Sequence, residues 1–185
     1  KEILADQGLT NYTLASAKVL FGDNCAACHG NGGQGNPGFP VLADDNWIYG
    51  GTIEKIEETI TGGRQAVMPK MGGMQLTDAE IDTLAQAIVK REPTSTELFT
   101  TKGCIACHGP DGKGMQVLGS ANLTDAIWRF TPGGLDSVKY TIRHGVNDPS
   151  SPNTREAIMP AFKDRLDATS IMQLAVYVYK FGGGQ

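Results

Sequence analysis

An all-α fold, written as two tandem copies of one small unit, is predicted by three features of this 185-residue sequence. Strand-type alternation is nearly absent. Apolar residues recur at helical spacing ahead of and behind two Cys-x-x-Cys-His motifs, Cys25-Cys28-His29 and Cys104-Cys107-His108. The halves also align as an internal repeat, with an offset of 79 at Cys25/Cys104 that drifts only to 82 at Gly63/Gly145.

The first predicted element carries Leu14, Ala17, Val19, Leu20 and Phe21 into the first motif, as Leu98 and Phe99 lead into the second. A glycine-rich loop follows each motif. Beyond it, Pro40-Val41-Leu42-Ala43-Asp44-Asp45-Asn46-Trp47 aligns with Ala121-Asn122-Leu123-Thr124-Asp125-Ala126-Ile127-Trp128, and Thr59-Ile60-x-x-Gly63 with Thr141-Ile142-x-x-Gly145. Met68-Pro69 then matches Met159-Pro160 at an offset of 91. The second half therefore has about nine extra residues, within 146–154, whose composition predicts a polar surface loop. Thr77-x-x-Glu80 is a capping box opening a helix with Ile81, Leu84, Ala85 and Ile88 on one face. Asp167 is the expected N-cap of a closing helix with Ile171, Leu174, Ala175 and Val178 on one face. Residues 91–96 read as a linker, which divides the chain into domains 1–92 and 93–185.

A half of that size buries too little surface to be robust alone, so a large apolar prosthetic group in its core would compensate. All four cysteines lie in the motifs, leaving none for a disulfide elsewhere. A net charge of -4 and an isoelectric point near 5.3 exclude nucleic acid and anionic membrane surfaces as expected partners. The longest apolar-rich stretch, Ile171 to Phe181, is too short to span a bilayer. The opening Lys1-Glu2-Ile3-Leu4-Ala5-Asp6-Gln7 has no signal-peptide core. The expectation is a processed protein or one lacking its targeting or anchoring segment.

On a helix, positions i, i+3 and i+4 share a face, so each motif can present two thiols and an imidazole to one flat macrocycle. This is the chemistry of covalent haem c attachment: Cys25, Cys28, Cys104 and Cys107 form thioethers, and His29 and His108 bind iron. A zinc ribbon sets its cysteine pairs much closer together, and a thioredoxin-like pair lacks its βαβ context. Two haem c groups in class I cytochrome c-like domains are therefore expected. For the opposite axial position, Met68 and Met159 are equivalent in the repeat, and the following proline restricts each backbone. A thioether favours the ferrous state and raises the reduction potential. Met71 and Met74 compete with Met68, and His144 is an alternative ligand. Met115 and Met172 are expected to fill core gaps.

Outside the iron, the carbonyl of Pro40 can accept from the second ring nitrogen of His29, with Ala121 in the equivalent place for His108. Trp47 and Trp128 are candidate donors to haem propionates, though packing alone explains a buried tryptophan equally well. Arg64 and Arg143 are candidate propionate partners, weighed against a simple solvated role.

These residues resemble a known family. Phe21-Gly22-Asp23-Asn24-Cys25-Ala26-Ala27-Cys28-His29-Gly30, the stretch Gly38-Phe39-Pro40 to Trp47-x-x-Gly50-Gly51, Asn122-Leu123-Thr124-Asp125 and Ile158-Met159-Pro160-Ala161 are similar to the dihaem subunit of cbb3-type cytochrome c oxidases, the CcoP/FixP family. The resemblance implies a periplasmic electron-input arm, anchored in the membrane in its full-length form or else soluble, with His and Met on each iron. It implies an electron-transfer protein with no oxygen-reducing site of its own. Its donor would be a soluble cytochrome c or a quinol-oxidising complex, its acceptors the monohaem and catalytic oxidase subunits. The rival readings are a soluble tandem dihaem carrier of the c4 type, a dihaem enzyme such as a peroxidase, and a gas sensor. The Trp47-x-x-Gly50-Gly51 stretch argues against the first, and two Met-Pro turns filling both irons argue against the others.

Overall fold

A computed structural model describes residues 2–130 and 132–182. Among the described residues the regular structure is helical, with only isolated bridges between extended segments. The chain folds as two compact units that are not its two sequence halves. Unit 1 comprises 1–64 and 159–185, and unit 2 comprises 65–158. The expected division at 92/93 follows the sequence repeat, whereas by contact the helix closing each half belongs to the other unit.

Unit 1 contains α1 (Glu2–Ala5), α2 (Gln7–Asn24), α3 (Ala26–His29), α4 (Ile53–Gly62) and the closing helix of the chain, Ala168–Tyr179. Asp6 caps α2 by accepting from Leu9 N–H, and Ala17 and Phe21 face inward. Val19, in the same apolar-patterned segment, is exposed. Ile56 and Ile60 of α4 meet Phe21 and the stripe Ile171, Leu174, Ala175 and Val178 in one apolar core. Tyr177 and Phe181 rings sit 5.5 and 5.1 Å from that of Phe21.

Unit 2 repeats this plan with α5 (Asp78–Val89), α6 (Glu97–Thr101), α7 (Ile105–His108) and α8 (Gly134–His144). With these in place the closing helix is α9. Ile81, Leu84, Ala85 and Ile88 of α5 pack on Phe99, Val138 and Ile142. The expected capping box is formed, Thr77 Oγ1 accepting from Glu80 N–H and Glu80 accepting from Thr77 N–H.

The reason for the exchange lies between α5 and α6. Residues 91–96 are not a slack linker: Pro93 is fully buried and opens a single 3-10 turn, Pro93–Ser95. So short a connection holds α5 beside α6. The helix that follows Met68 therefore packs on the second haem motif's helices, and the one that follows Met159 on the first.

Candidate haem-binding sites

Each motif sits at a helix start, Cys25 preceding α3 and Cys104 preceding α7, which brings two thiols and an imidazole to one end of a short helix. All four cysteines are unpaired thiols. Burial, reinforced by neighbouring Cys28, pushes the Cys25 thiol up to about 11, and burial also raises Cys104. Both thus stay protonated at neutral pH, held against apolar surroundings.

The histidines are aimed by backbone carbonyls, as the repeat predicts. His29 Nδ1 lies 3.0 Å from the carbonyl of Pro40, and His108 Nδ1 lies 3.0 Å from that of Ala121. A carbonyl only accepts, so Nδ1 carries the hydrogen and the lone pair falls on Nε2. That is the tautomer an iron-binding imidazole needs. Desolvation lowers the pKa of His108 and keeps the ring neutral, as iron binding requires. Glycines allow the carbonyls so close: at Gly114 (φ +80) a Cβ would come within 2.9 Å of the Ala121 carbonyl. At Gly35 (φ +75) it would come within 3.2 Å of the Pro40 carbonyl. Two thiols, three of the four partly buried and Cys107 exposed, and a pre-oriented imidazole in each unit fit a covalently bound haem c.

The methionines fall with the opposite motifs from those their sequence positions suggest. Met159 N–H donates to Arg64 O at 2.8 Å, and Arg64 N–H to Met159 O at 2.9 Å, which ties Met159 to the end of α4 in the unit of His29. Met68 exchanges the same two bonds with Val146, both at 2.9 Å, at the end of α8 in the unit of His108. The glycines of the repeated Thr-Ile-x-x-Gly motif explain this contact. A Cβ on Gly63 would collide with the Met159 carbonyl, and one on Gly145 with the Met68 carbonyl. The repeat exposed this signal without stating its purpose.

Met71 and Met74 lie in and beyond the 3-10 turn Lys70–Gly73, Met71 with φ 56 and Met74 half-exposed. Met115 is exposed, which corrects its assignment to the core. His144 ends α8 with its ring 4.5 Å from that of Tyr140. The tryptophans pack on glycines: a Cβ on Gly51 would come within 2.6 Å of the Trp47 indole, and one on Gly133 within 2.5 Å of Trp128. This accounts for the glycines that trail each tryptophan. Both candidate arginines are engaged by carboxylates, Arg64 with Glu58 at 3.0 Å and Arg143 with Asp78 at 2.6 Å. Arg64 also donates to Thr59 Oγ1 and lies over the Tyr49 ring.

Two helical units, each with a Cys-x-x-Cys-His helix, a carbonyl-oriented histidine and a bridged, extended methionine segment, define the class: a tandem c-type cytochrome. The family model described as "Cytochrome C oxidase, cbb3-type, subunit III" matches residues 13–86 and 92–178. The chain belongs to this family of cbb3-type oxidase subunits. It is 41% identical over 90% of its length to the cbb3-type cytochrome c oxidase subunit CcoP of Rubrivivax gelatinosus, covering 54% of that protein. It is 39% identical over its whole length to the FixP subunit of Azorhizobium caulinodans and 38% to that of Bradyrhizobium diazoefficiens, covering 65% and 66% of them. The chain thus spans between about half and two thirds of the length of these relatives. Among the described residues, no helix is long and apolar enough to cross a membrane.

Proposed function

We propose that this chain relays electrons through two haem c groups, one per unit, toward the catalytic subunits of a cbb3-type oxidase. The observation that carries the reading is the pair of 3.0 Å Nδ1 to carbonyl contacts, which gives both histidines the iron-binding tautomer. Cys25 and Cys28 would tether one haem and Cys104 and Cys107 the other. Bound there, haem supplies a one-electron iron couple. The chain's part would be to tether the haem by its paired thiols and to supply its iron with an imidazole and a thioether.

The sulfur ligand of the His29 haem is Met159, and that of the His108 haem is Met68. Support comes from the paired backbone bonds that tie each methionine to the same unit as that histidine. Trp47 and Trp128 are the candidate propionate donors. Arg64 and Arg143 are weaker ones, because each has a carboxylate partner. The donor would be a soluble cytochrome c or a quinol-oxidising complex, the acceptor a monohaem or catalytic oxidase subunit, and the site of action the periplasm.

Spectroscopy tests both parts. Oxidised protein is expected to show two low-spin irons and a sulfur-to-iron charge-transfer band; a high-spin, ligand-accessible iron would refute the carrier reading. In a chain carrying Cys25→Ala and Cys28→Ala only the His108 haem remains. Met68→Ala is then expected to abolish the band and Met159→Ala to leave it intact. The reverse result would restore the pairing by sequence halves.

A further inference from the structure

The extra residues after Gly145 are exposed at 149–150 and 152–153, as their composition predicts, but two polar members turn inward. Asp148 is only 5% exposed and Ser151 6%. The first residues of this loop grip the extended segment that carries Met68. Asn147 has φ 50, a conformation asparagine tolerates better than most residues. Its Nδ2 donates to the carbonyls of Ala66 at 2.7 Å and Ala157 at 3.0 Å, while its Oδ1 accepts from Ala157 N–H at 2.9 Å. Asp148 Oδ2 accepts from Lys70 N–H at 2.6 Å. Its Oδ1 accepts from Ser150 N–H and Oγ, at 2.7 and 2.8 Å. Thr154 Oγ1 closes the loop by accepting from Asp148 N–H at 2.9 Å.

Taken along this segment, the bonds leave little freedom. The Ala66 carbonyl is held by Asn147, both backbone groups of Met68 by Val146, and the Lys70 N–H by Asp148. Pro69 between them has no N–H to satisfy. The corresponding segment around Met159 shares the Asn147 bonds, at Ala157, and is otherwise tied by backbone bonds, Met159 to Arg64 and Phe162 N–H to Ile60 O; it has no counterpart of the Asp148 bond to Lys70 N–H among the described residues. The inserted loop has thus added a side-chain clamp on either side of Met68, including a buried carboxylate, whose bonds to N–H groups are about twice as strong as neutral ones.

We infer that Asn147 and Asp148 are positioning residues for Met68, fixing its segment so that the thioether stays on the iron of the His108 haem. The inference rests on Met68 being that ligand. Loss of the Asp148 clamp lets this segment shift and the sulfur dissociate, which opens the iron to external ligands, while the His29 haem is untouched; loss of Asn147 also frees Ala157, two residues before Met159.

The test uses the full dihaem chain and follows the charge-transfer band and imidazole binding. Met68→Ala is the reference and is expected to remove about half the band, one haem of two. Asp148→Ala is expected to weaken that same half and raise the apparent imidazole affinity of one haem roughly tenfold, a change of about 1.4 kcal/mol. Asn147→Ala is expected to act in the same direction. Asp148→Asn keeps the volume and one acceptor oxygen, and is expected to restore part of the band. If Met68→Ala leaves the whole band, the ligand reading fails. If Met68→Ala removes half while Asp148→Ala and Asn147→Ala leave band and imidazole affinity at parental values, the ligand reading stands and the positioning inference is overturned, even if the melting temperature falls. Should Asp148→Ala not fold, Asp148→Asn decides by the same two readouts, parental values again overturning the inference.

Discussion

Gly63 and Gly145 show how a single missing side chain admits a neighbouring methionine carbonyl. Each ends a helix with positive φ, +68 and +73, and each lies so close to a methionine carbonyl that a Cβ would overlap it. An alanine there suffers twice, from left-handed backbone strain and from the clash, either of which alone costs about 1–3 kcal/mol. Gly145→Ala is therefore expected to destabilise unit 2 by a few kcal/mol, about twice a typical single-site cost, in denaturant titration. Because the displaced carbonyl belongs to Met68, the same variant is expected to weaken only the sulfur band of the His108 haem. Gly63→Ala is expected to do the reverse, weakening the band of the His29 haem. Equal loss from both haems in either variant would show that the glycine matters only for global stability.

At the scale of elements, α5 depends on its start. Thr77 and Glu80 satisfy each other's N–H groups, and Lys102 pairs with Glu80 at 2.8 Å. The Lys102 bond, followed by the Thr77 N–H, lowers the Glu80 carboxyl to about 2. Since its folded pKa is depressed, the stability it lends is full above its ordinary value near 4.5 and is lost as pH falls through 4.5 toward about 2. Melting curves across that range are expected to be steeper in pH for the parent than for Glu80→Gln. Thr77→Ala is expected to cost about 1 kcal/mol at neutral pH. This element was fully legible in the sequence, because a capping box and an apolar stripe are local patterns. So were Asp167 as N-cap, the inward stripe of α9, and the carbonyls of Pro40 and Ala121 behind the histidines. The unit each closing helix joins was not legible. In a repeat both apolar stripes suit both cores, and periodicity specifies which face is buried without specifying against what. Nor did composition show that Pro93, in a segment that suggested only a linker, is buried. The loop after Gly145 was legible only in its exposed part, 149–150 and 152–153: Asn147 and Asp148 are polar by type, yet among their partners are backbone groups some 80 residues away in sequence.

For the whole molecule, the interleaved order makes one unit continuous in the chain and the other discontinuous. Residues 65–158 contain Met68, α5, the second motif, α8 and the clamping loop, and they share one apolar core. Residues 1–64 lack α9 and Met159 until the last part of the chain is made. Long-range closure of that kind is slow, whereas unit 2 needs no partner from outside its own span. A fragment of 65–158 is therefore expected to fold, take up one haem and show the sulfur-to-iron band at full strength per iron. A fragment of 93–185, the sequential half, carries the same Cys104-Cys107-His108 motif but has neither α5 nor Met68. It does contain Met159, so the comparison is demanding: both fragments hold one motif, one methionine followed by proline, and one apolar closing helix. If the pairing seen here governs assembly, circular dichroism and the charge-transfer band will find native-like helix and sulfur ligation in 65–158 and little of either in 93–185. If 93–185 folds with an intact band and a melting temperature matching that of 65–158, α9 can replace α5 in the core of Phe99, Val138 and Ile142. The exchange of helices would then be one of two arrangements open to the repeat, selected by chain connectivity and not by side-chain fit.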